Sequence, residues 1–260
     1  MISIQNYKKV QSLQEAYELN QKRSTRILGG MMWMRLSSGN IGTAIDLSGL
    51  GLDTIEETDT EFRIGCMCSL RSLELHPGLS SYFGGAIRES VKHIIGVQFR
   101  NGATVGGSVF GRFGFSDILT CFLALDSYVE LFHGGRVLMR EFAERKQDND
   151  ILVYVILKKD GRQVRYCSER IAETDFPVLA CAVAKTEDAI YVSVGARPMK
   201  AKVRKFSLPA GAEDAGLREL AREAAGQFSY GSNMRGNSEY RKHLAEVDIY
   251  RNLKEIDWDR

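Results

Sequence analysis

The order of strand and helix signals in the second half of the chain most constrains its fold. Four apolar runs follow one another there: DILVYVILKK, QVRYCSE, FPVLACAVAK and AIYVSVGARP. The turn-forming pair Asp160–Gly161 separates the first two runs, which is typical of a hairpin, and TEDA at 186–189 separates the last two. Two long segments of helical period follow, at 212–228 and 237–256. These signals predict a small antiparallel sheet packed on two helices. The helical period of the second helix places Tyr240, Leu244, Val247 and Tyr250 or Arg251 on one side.

The first half mixes shorter elements. Ser12 and Glu15 form a capping box that predicts a helix to about Arg23. The runs TRILGG, TAIDLSGL and EFRIGCMCSL predict strands, 80–94 predicts one helix, and the run around Gly134–Gly135 predicts a hairpin. The chain is therefore expected to be α+β in two parts, with domains at 1–160 and 161–260.

The composition excludes several classes of protein. Hydrophobic residues make up 44% and charged residues 26% of the 260 residues, and the net charge is +2, so a nucleic-acid partner is not expected. The basic stretch 197–205 is interpreted as a solvated strand end or loop rather than a phosphate-binding site. No run is long enough to span a membrane and the first residues lack a signal-peptide core, so a cytoplasmic location is expected. Five irregularly spaced cysteines predict neither a disulfide framework nor a metal site.

Two glycine pairs are the candidate binding motifs. Gly29–Gly30 ends a predicted strand, and Gly106–Gly107 lies in a glycine-rich loop, ATVGGSVFG, with the hydroxyls of Thr104 and Ser108 beside it. Glycines let a backbone approach a ligand closely, and successive N–H groups can bind a phosphate. Neither pair fits the P-loop or Rossmann pattern. Taken singly, each pair is also what a tight turn requires.

An acidic residue follows the second glycine pair. Ser116 is placed to cap a helix over DILTCFLALD. The carboxylate of Asp117 could bind a ligand hydroxyl or cap the same helix, and both interpretations stay open.

Motifs over the whole length of the chain resemble one family. The segments RILGGMMWM, RIGCMCSL, VQFRNGATVGGSVFGRFGFSDILTCFLALD and GSNMRGNSEYRKHLAEVDIYRNL occur in the order seen in the FAD-binding subunits of molybdenum hydroxylases, of the xanthine dehydrogenase and carbon monoxide dehydrogenase type. The second-loop pattern of that family fits Gln98, Arg100, Asn101, Ala103, Thr104, Gly106, Gly107 and Asp117. Its C-terminal pattern fits Arg235, Gly236, Tyr240 and Arg241.

This resemblance implies a two-lobed FAD-binding domain of the vanillyl-alcohol-oxidase type, followed by the small sheet and helices. It implies a non-covalent FAD site, because neither glycine loop contains a His or Cys. The implied cofactor-binding residues are Ile27, Leu28, Gly29, Gly30, Met31, Met32, Ala103, Thr104, Gly106, Gly107, Ser108, Gly111, Asp117 and Leu152. Met31 and Met32 stand where relatives have a threonine and an acid, and Ser108 stands where they have an asparagine.

The resemblance also implies a function. The FAD would take electrons from a separate [2Fe–2S] small subunit, fed by a molybdopterin-binding large subunit, and would pass them to NAD⁺ or another acceptor. No residue of this chain is expected to be catalytic or to bind a metal. Two alternatives stay open: a flavin-free structural or assembly subunit of such a complex, and a free-standing flavin reductase or oxidase.

Overall fold

A computed structural model of the chain describes residues 1–209 and 213–258. The strands are β1 Ile2–Lys9, β2 Thr25–Leu28, β3 Gly39–Asp46, β4 Ile55–Glu57, β5 Glu61–Gly65, β6 Ser127–Leu131, β7 Gly135–Leu138, β8 Leu152–Lys158, β9 Gln163–Glu169, β10 Leu179–Lys185, β11 Ala189–Gly195 and β12 Lys202–Ser207. The helices are α1 Leu13–Asn20, α2 Leu70–Leu75, α3 Pro77–Tyr82, α4 Ala86–Lys92, α5 Val97–Gly102, α6 Val105–Phe110, α7 Asp117–Ala124, α8 Met139–Glu144, α9 Asp214–Gly226 and α10 Ser238–Lys254, with a 3₁₀ turn at Met34–Leu36. The helix predicted at 212–228 begins at Ala212, which lies outside the described residues.

Backbone contacts divide the chain into two compact units. Unit 1 comprises Met1–Ser72, Val97–Gly111 and Ser127–Leu157, and unit 2 comprises Leu73–Gly96, Arg112–Asp126 and Lys158–Arg260. Three segments in each unit mean that the chain passes between them five times. The boundary after residue 160 is predicted from the change in sequence pattern and not from backbone contacts. As a domain boundary it stays a prediction.

Unit 1 contains two separate sheets. The first has the order β1-β3-β2 with both outer strands parallel to β3, and α1 packs on β2 and β3. The capping box at the start of α1 forms as predicted, because Ser12 Oγ accepts from the N–H of Glu15. The second sheet has the order β4-β5-β8-β6-β7 and contains the predicted hairpin of β6 and β7.

The hairpin predicted around Asp160–Gly161 is wrong. β8 pairs with β6 in the five-stranded sheet of unit 1, whereas β9 pairs with β10 in the sheet of unit 2. Turn-forming residues between two apolar runs show that the chain changes direction there, but they do not show which strand either run pairs with.

Unit 2 is built on a four-stranded antiparallel sheet in the order β12-β11-β10-β9. α9 and α10 share a hydrophobic cluster with one face, and α7 contacts β10 and β11. Residues Leu179 to Ala184 of β10 are consequently all buried, which explains the nearly continuous apolar sequence LACAVA. The predicted antiparallel sheet packed on helices is confirmed.

Three local predictions in unit 2 need correction. The helix expected over 80–94 is two helices, α3 and α4, because Gly84 and Gly85 both have positive φ, 55° and 81°, and end the first. Arg197, expected in a solvated loop, is 1% exposed and donates to the carbonyls of Val194, Ser229 and Lys200.

The third correction concerns the buried face of α10. Its buried residues are Arg241, Ala245, Asp248, Ile249, Asn252 and Leu253, while Tyr240 is 50% exposed. Polar side chains occupy half of this face, so apolar periodicity indicated the neighbouring face, of which Leu244 and Tyr250 do pack against the hydrophobic cluster. Arg241 is only 1% exposed because its guanidinium donates to the carbonyls of Val178, Gly231 and Gly236 and to Asn233 Oδ1.

In the described part of the chain, no helix is both long and apolar enough to cross a bilayer.

The bonds of Arg241 lead to a stability prediction. Arg241→Lys keeps the charge but cannot supply the forked donors, so buried carbonyls lose their partners. We expect the free energy of unfolding to fall by about 2–4 kcal/mol in urea denaturation. Lys242→Arg, at the exposed neighbouring position, is the control and should leave the midpoint unchanged. Equal midpoints for Arg241→Lys and the wild type would contradict a structural role for this arginine.

Candidate functional site

The two glycine pairs lie against each other in unit 1. A Cβ built on Gly29 would lie 3.0 Å from Thr104 Oγ1 and 3.4 Å from Gly107 Cα. A Cβ built on Gly107 would lie 3.2 Å from the carbonyl oxygen of Gly29. Backbone therefore packs directly on backbone, which is possible only where side chains are absent.

The turn after β2 is held in an unusual conformation. Gly30 has φ 72°, and a Cβ there would lie 1.7 Å from the carbonyl oxygen of Gly102. Met31 also has positive φ, 61°, a conformation that costs a side-chain-bearing residue about 1–2 kcal/mol. Such strain persists only where the surrounding structure fixes the backbone, and it is common at ligand sites.

This first segment presents free backbone donors. Among the described residues, no acceptor is bound by the N–H groups of Gly29, Gly30, Met31 or Met32. Gly30 is exposed and the other three residues are half-buried, so none of the four lies in the buried core. Consecutive N–H groups in a turn suit an anionic group such as a pyrophosphate.

The second segment differs from its prediction as a loop. Thr104 caps α6, its Oγ1 accepting from the N–H of Gly107 at 3.2 Å. The N–H groups of Val105 and Gly106 donate to the carbonyls of Cys68 and Cys66, and that of Ser108 donates to the carbonyl of Thr104. The segment therefore supplies close backbone approach and a threonine, while its amides are already bonded within the protein.

The remaining predicted residues of these segments surround that contact. Ala103 is buried, the Ser108 hydroxyl donates to the carbonyl of Thr104 at 2.9 Å, and Gly111 ends α6. The sulfur of Met32 would lie 2.8 Å from a Cβ built on Gly102, so this side chain packs on the end of α5. Ile27 and Leu28 are half-buried at the end of β2.

Two cysteines adjoin the second segment, which the motif did not indicate. A Cβ on Gly106 would lie 2.7 Å from the carbonyl oxygen of Cys66, and the Cys68 thiol donates to the carbonyl of Thr54. Burial raises the pKa of Cys66 to about 12 and that of Cys68 to about 11. Both thiols are therefore protonated at neutral pH and are poor nucleophiles. Their spacing in RIGCMCSL gives no signal that they lie beside the glycines.

Asp117 lies in unit 2 at the start of α7. Ser116 caps that helix, so capping is not the role of the aspartate. Asp117 Oδ1 accepts from Tyr166 Oη at 2.6 Å and from the Arg170 guanidinium at 2.6 Å. Burial raises the pKa of Asp117, and Arg170 and Tyr166 act in the opposite direction. The structure thus assigns this carboxylate partners that the sequence did not reveal, and its role as a ligand for the cofactor stays a prediction.

Leu152 is 5% exposed at the start of β8, opposite Leu131 of β6. In residues 1–209 and 213–258, no group of three or more His, Cys, Asp or Glu side chains is arranged to hold a metal ion.

The comparison that decides the family covers more than half of the chain. Residues 3–158 match the family described as the FAD binding domain in molybdopterin dehydrogenase. The chain belongs to this family. Residues 3–158 are accordingly an FAD-binding domain, and the family is that of an oxidoreductase.

Relatives and solved structures extend the likeness beyond that region. The chain is 25% identical over 215 residues to the uncharacterized protein YgfM of Escherichia coli strain K12, covering 80% of this chain and 78% of YgfM. It superimposes on a chain of Cu,Mo-CO dehydrogenase with a TM-score of 0.83 at 20% identity, covering 98% of both chains. It superimposes on a chain of quinoline 2-oxidoreductase from Pseudomonas putida 86 with a TM-score of 0.82 at 16% identity, covering 97% of this chain and 96% of the other. The α+β fold class predicted from the sequence is confirmed.

The residues of unit 1 fit FAD. The donors of the Gly29–Met32 turn suit a pyrophosphate, and the glycine contact with Gly107 leaves the backbone open to it. The buried, protonated thiols of Cys66 and Cys68 agree with a non-covalent site.

The Gly30 contact can be tested against a glycine that has similar φ but open surroundings. Gly135 has φ 64° and nothing within 4 Å of a built Cβ. Gly135→Ala therefore carries only the conformational cost, about 1–2 kcal/mol, whereas Gly30→Ala adds a collision with the Gly102 carbonyl. We expect Gly30→Ala to lower the unfolding midpoint clearly more than Gly135→Ala. Equal losses would contradict the packing of this turn on α5.

Proposed function

We propose that this chain is the FAD-carrying electron-transfer subunit of a molybdopterin-dependent dehydrogenase. The observation that carries the proposal is that four consecutive N–H groups, those of Gly29 to Met32, bind no acceptor among the described residues. The segment that contains them packs on Gly107 through Gly29. The bound FAD would supply the redox chemistry, accepting electrons and delivering them to an acceptor.

The residues of the chain would bind and orient the cofactor. The Gly29–Met32 amides would donate to the pyrophosphate, while Thr104 fixes the start of α6 and the close approach of Gly107. The side chains of Met31 and Met32 carry no hydrogen-bond donor, so binding would depend on main-chain rather than side-chain groups in this turn. The remaining predicted site residues, including Asp117 and Leu152, are part of this proposal.

The partners are proposed from the relatives. The matched structures belong to a Cu,Mo-CO dehydrogenase and to quinoline 2-oxidoreductase. We assign to this chain a [2Fe–2S] small subunit as electron donor, a molybdopterin-binding large subunit, and NAD⁺ or another molecule as acceptor. The cytoplasmic location stays a prediction.

One observation favours a second candidate, a flavin-free structural subunit. Met31 and Met32 place two apolar side chains in the turn, and Met32 packs on Gly102. Loss of side-chain contacts to the cofactor would weaken binding, and the following experiment separates the two candidates.

The first test is the near-ultraviolet and visible absorbance of the purified chain, followed by heat release and identification of any cofactor. The proposal predicts an oxidised-flavin spectrum, in the isolated chain or after addition of FAD, with intact FAD released. A chain that remains colourless after FAD addition, and also in complex with its partner subunits, would support the structural role instead.

A matched pair of glycine variants tests which residues hold the cofactor. Gly107→Ala introduces a Cβ 3.2 Å from the Gly29 carbonyl and should displace the first segment, lowering FAD affinity about ten-fold or more, or about 1.4 kcal/mol. Gly226→Ala, with nothing within 4 Å of its Cβ, should bind FAD like the wild type. Affinity is read from FAD fluorescence titration. Unchanged affinity in Gly107→Ala would place the cofactor elsewhere.

The acceptor is tested by anaerobic addition of NADH to the FAD-loaded chain. If NAD⁺ is the acceptor, the reverse reaction should bleach the flavin absorbance. Bleaching by dithionite but not by NADH would rule out NAD⁺ and leave FAD binding untouched.

A further inference from the structure

Two cysteines of unit 2 face each other across neighbouring strands. Cys167 of β9 and Cys181 of β10 are direct partners in the antiparallel register, and their thiols are in contact. Directly paired residues in such a ladder have Cα atoms about 4.5–5.5 Å apart, within the range that a disulfide requires. Both thiols are free in this structure. Cys181 is fully buried, whereas Cys167 is half-buried, so Cys167 is the more exposed residue of the pair.

Helix α10 places an amide on this pair. Asn252 Nδ2 donates to the sulfur of Cys167 at 3.3 Å. The bond gives the amide of Asn252, which is 3% exposed, a partner on the buried face of α10. An amide donor at a sulfur stabilises the thiolate relative to the thiol, because the charged form is the better acceptor.

One turn earlier, the same helix face carries an unsatisfied carboxyl. Asp248 is 1% exposed, and neither of its oxygens has a hydrogen-bond donor among the described residues. Burial first, and then the facing carboxyl of Glu169, raise the pKa of Asp248 to about 7, while Arg251 acts in the opposite direction. The negative charge of Asp248 also raises the pKa of the Cys167 thiol. A buried carboxyl without a donor is costly, so its retention here calls for an explanation.

Glu169 connects this carboxyl to solvent. It lies two residues after Cys167 on β9, so the two side chains share the sheet face towards α10. Its side chain is 38% exposed and is 3.4 Å from the Arg251 guanidinium. A proton taken up by Asp248 can therefore leave through Glu169.

We propose that Cys167 and Cys181 form a thiol–disulfide site, with Asp248 as the proton acceptor for the attacking thiol and Glu169 as its route to solvent. The site depends on neither flavin nor partner subunits.

The oxidant is a low-molecular-weight disulfide, RSSR. The Cys167 thiol loses its proton to Asp248, and the thiolate attacks one sulfur of RSSR, releasing RS⁻, which is protonated to RSH. The Cys181 thiol then loses its proton and attacks the Cys167 sulfur, releasing a second RSH and forming the intramolecular S–S bond. In sum, two cysteine thiols are oxidised, one RSSR is reduced to two RSH, and no proton is lost or gained.

Burial opposes the first step. The pKa of Cys167 is raised well above its usual value, first by the contact with Cys181 and then by burial. A thiol in this state reacts slowly unless a base is adjacent, so the rate should follow the ionisation of Asp248 and increase as the pH rises through about 7.

The test uses the purified full-length chain and oxidised glutathione as the probe. After incubation and alkylation of the remaining thiols, peptide mass spectrometry should find a Cys167–Cys181 disulfide, with Cys66, Cys68 and Cys121 alkylated after denaturation. Cys181→Ser should trap glutathione on Cys167, and Cys121→Ser, at another buried cysteine, should oxidise like the wild type.

The role of Asp248 has its own comparison. Asp248→Asn should slow oxidation by about ten-fold or more at about pH 8 and flatten the pH profile. Glu246→Gln, a half-exposed acid on the same helix, is the control and should keep the wild-type rate and profile. A wild-type chain that remains folded by circular dichroism but keeps both thiols alkylatable would overturn the site. A wild-type rate in Asp248→Asn would overturn the assignment of the base.

Discussion

The candidate site depends on one constraint: the backbone of Gly29 packs directly on the backbone of Gly107, with no side chain between them. This contact brings the turn after a parallel strand against the first turn of α6, and it lets Gly30 pass close to the Gly102 carbonyl. Because the second segment uses its own amides internally, the first segment is the one left with free donors. The two glycine pairs are therefore not equivalent: the amides of one are bonded within the protein, and the amides of the other are free to donate.

Much of the fold could be predicted because local signals matched local structure. The capping box at Ser12, the cap at Ser116 and the strand pair around TEDA all formed as expected. The failures were non-local. The pairing of β8 and β9 depends on which sheet each strand joins, and the buried face of α10 depends on polar partners supplied by distant loops. Neither kind of information is contained in a short window of sequence.

In the candidate site, too, local motifs could be predicted and contacts between distant residues could not. The family resemblance implied one cofactor site for both glycine pairs, and the structure does bring Gly29, Gly30, Thr104 and Gly107 together, because glycine is required where backbones meet. Their role in binding stays a prediction. The sequence did not reveal that GGSVF is helical, that Cys66 adjoins Gly106, or that Asp117 is held by Tyr166 and Arg170. These contacts arise between residues tens of positions apart, and their side chains give no periodic signal.

The alternation of the chain between its two units affects how the protein is made. Helices α4 and α7 are synthesised before the strands on which they pack, β9 to β11, which lie beyond residue 160. Until the ribosome has delivered those strands, α4 and α7 can pack within unit 2 on each other and on α3, but the apolar surface that faces the sheet stays uncovered. A nascent chain stalled near residue 160 therefore exposes hydrophobic helices, and chaperone binding or proteolysis at that point should exceed that of the finished protein.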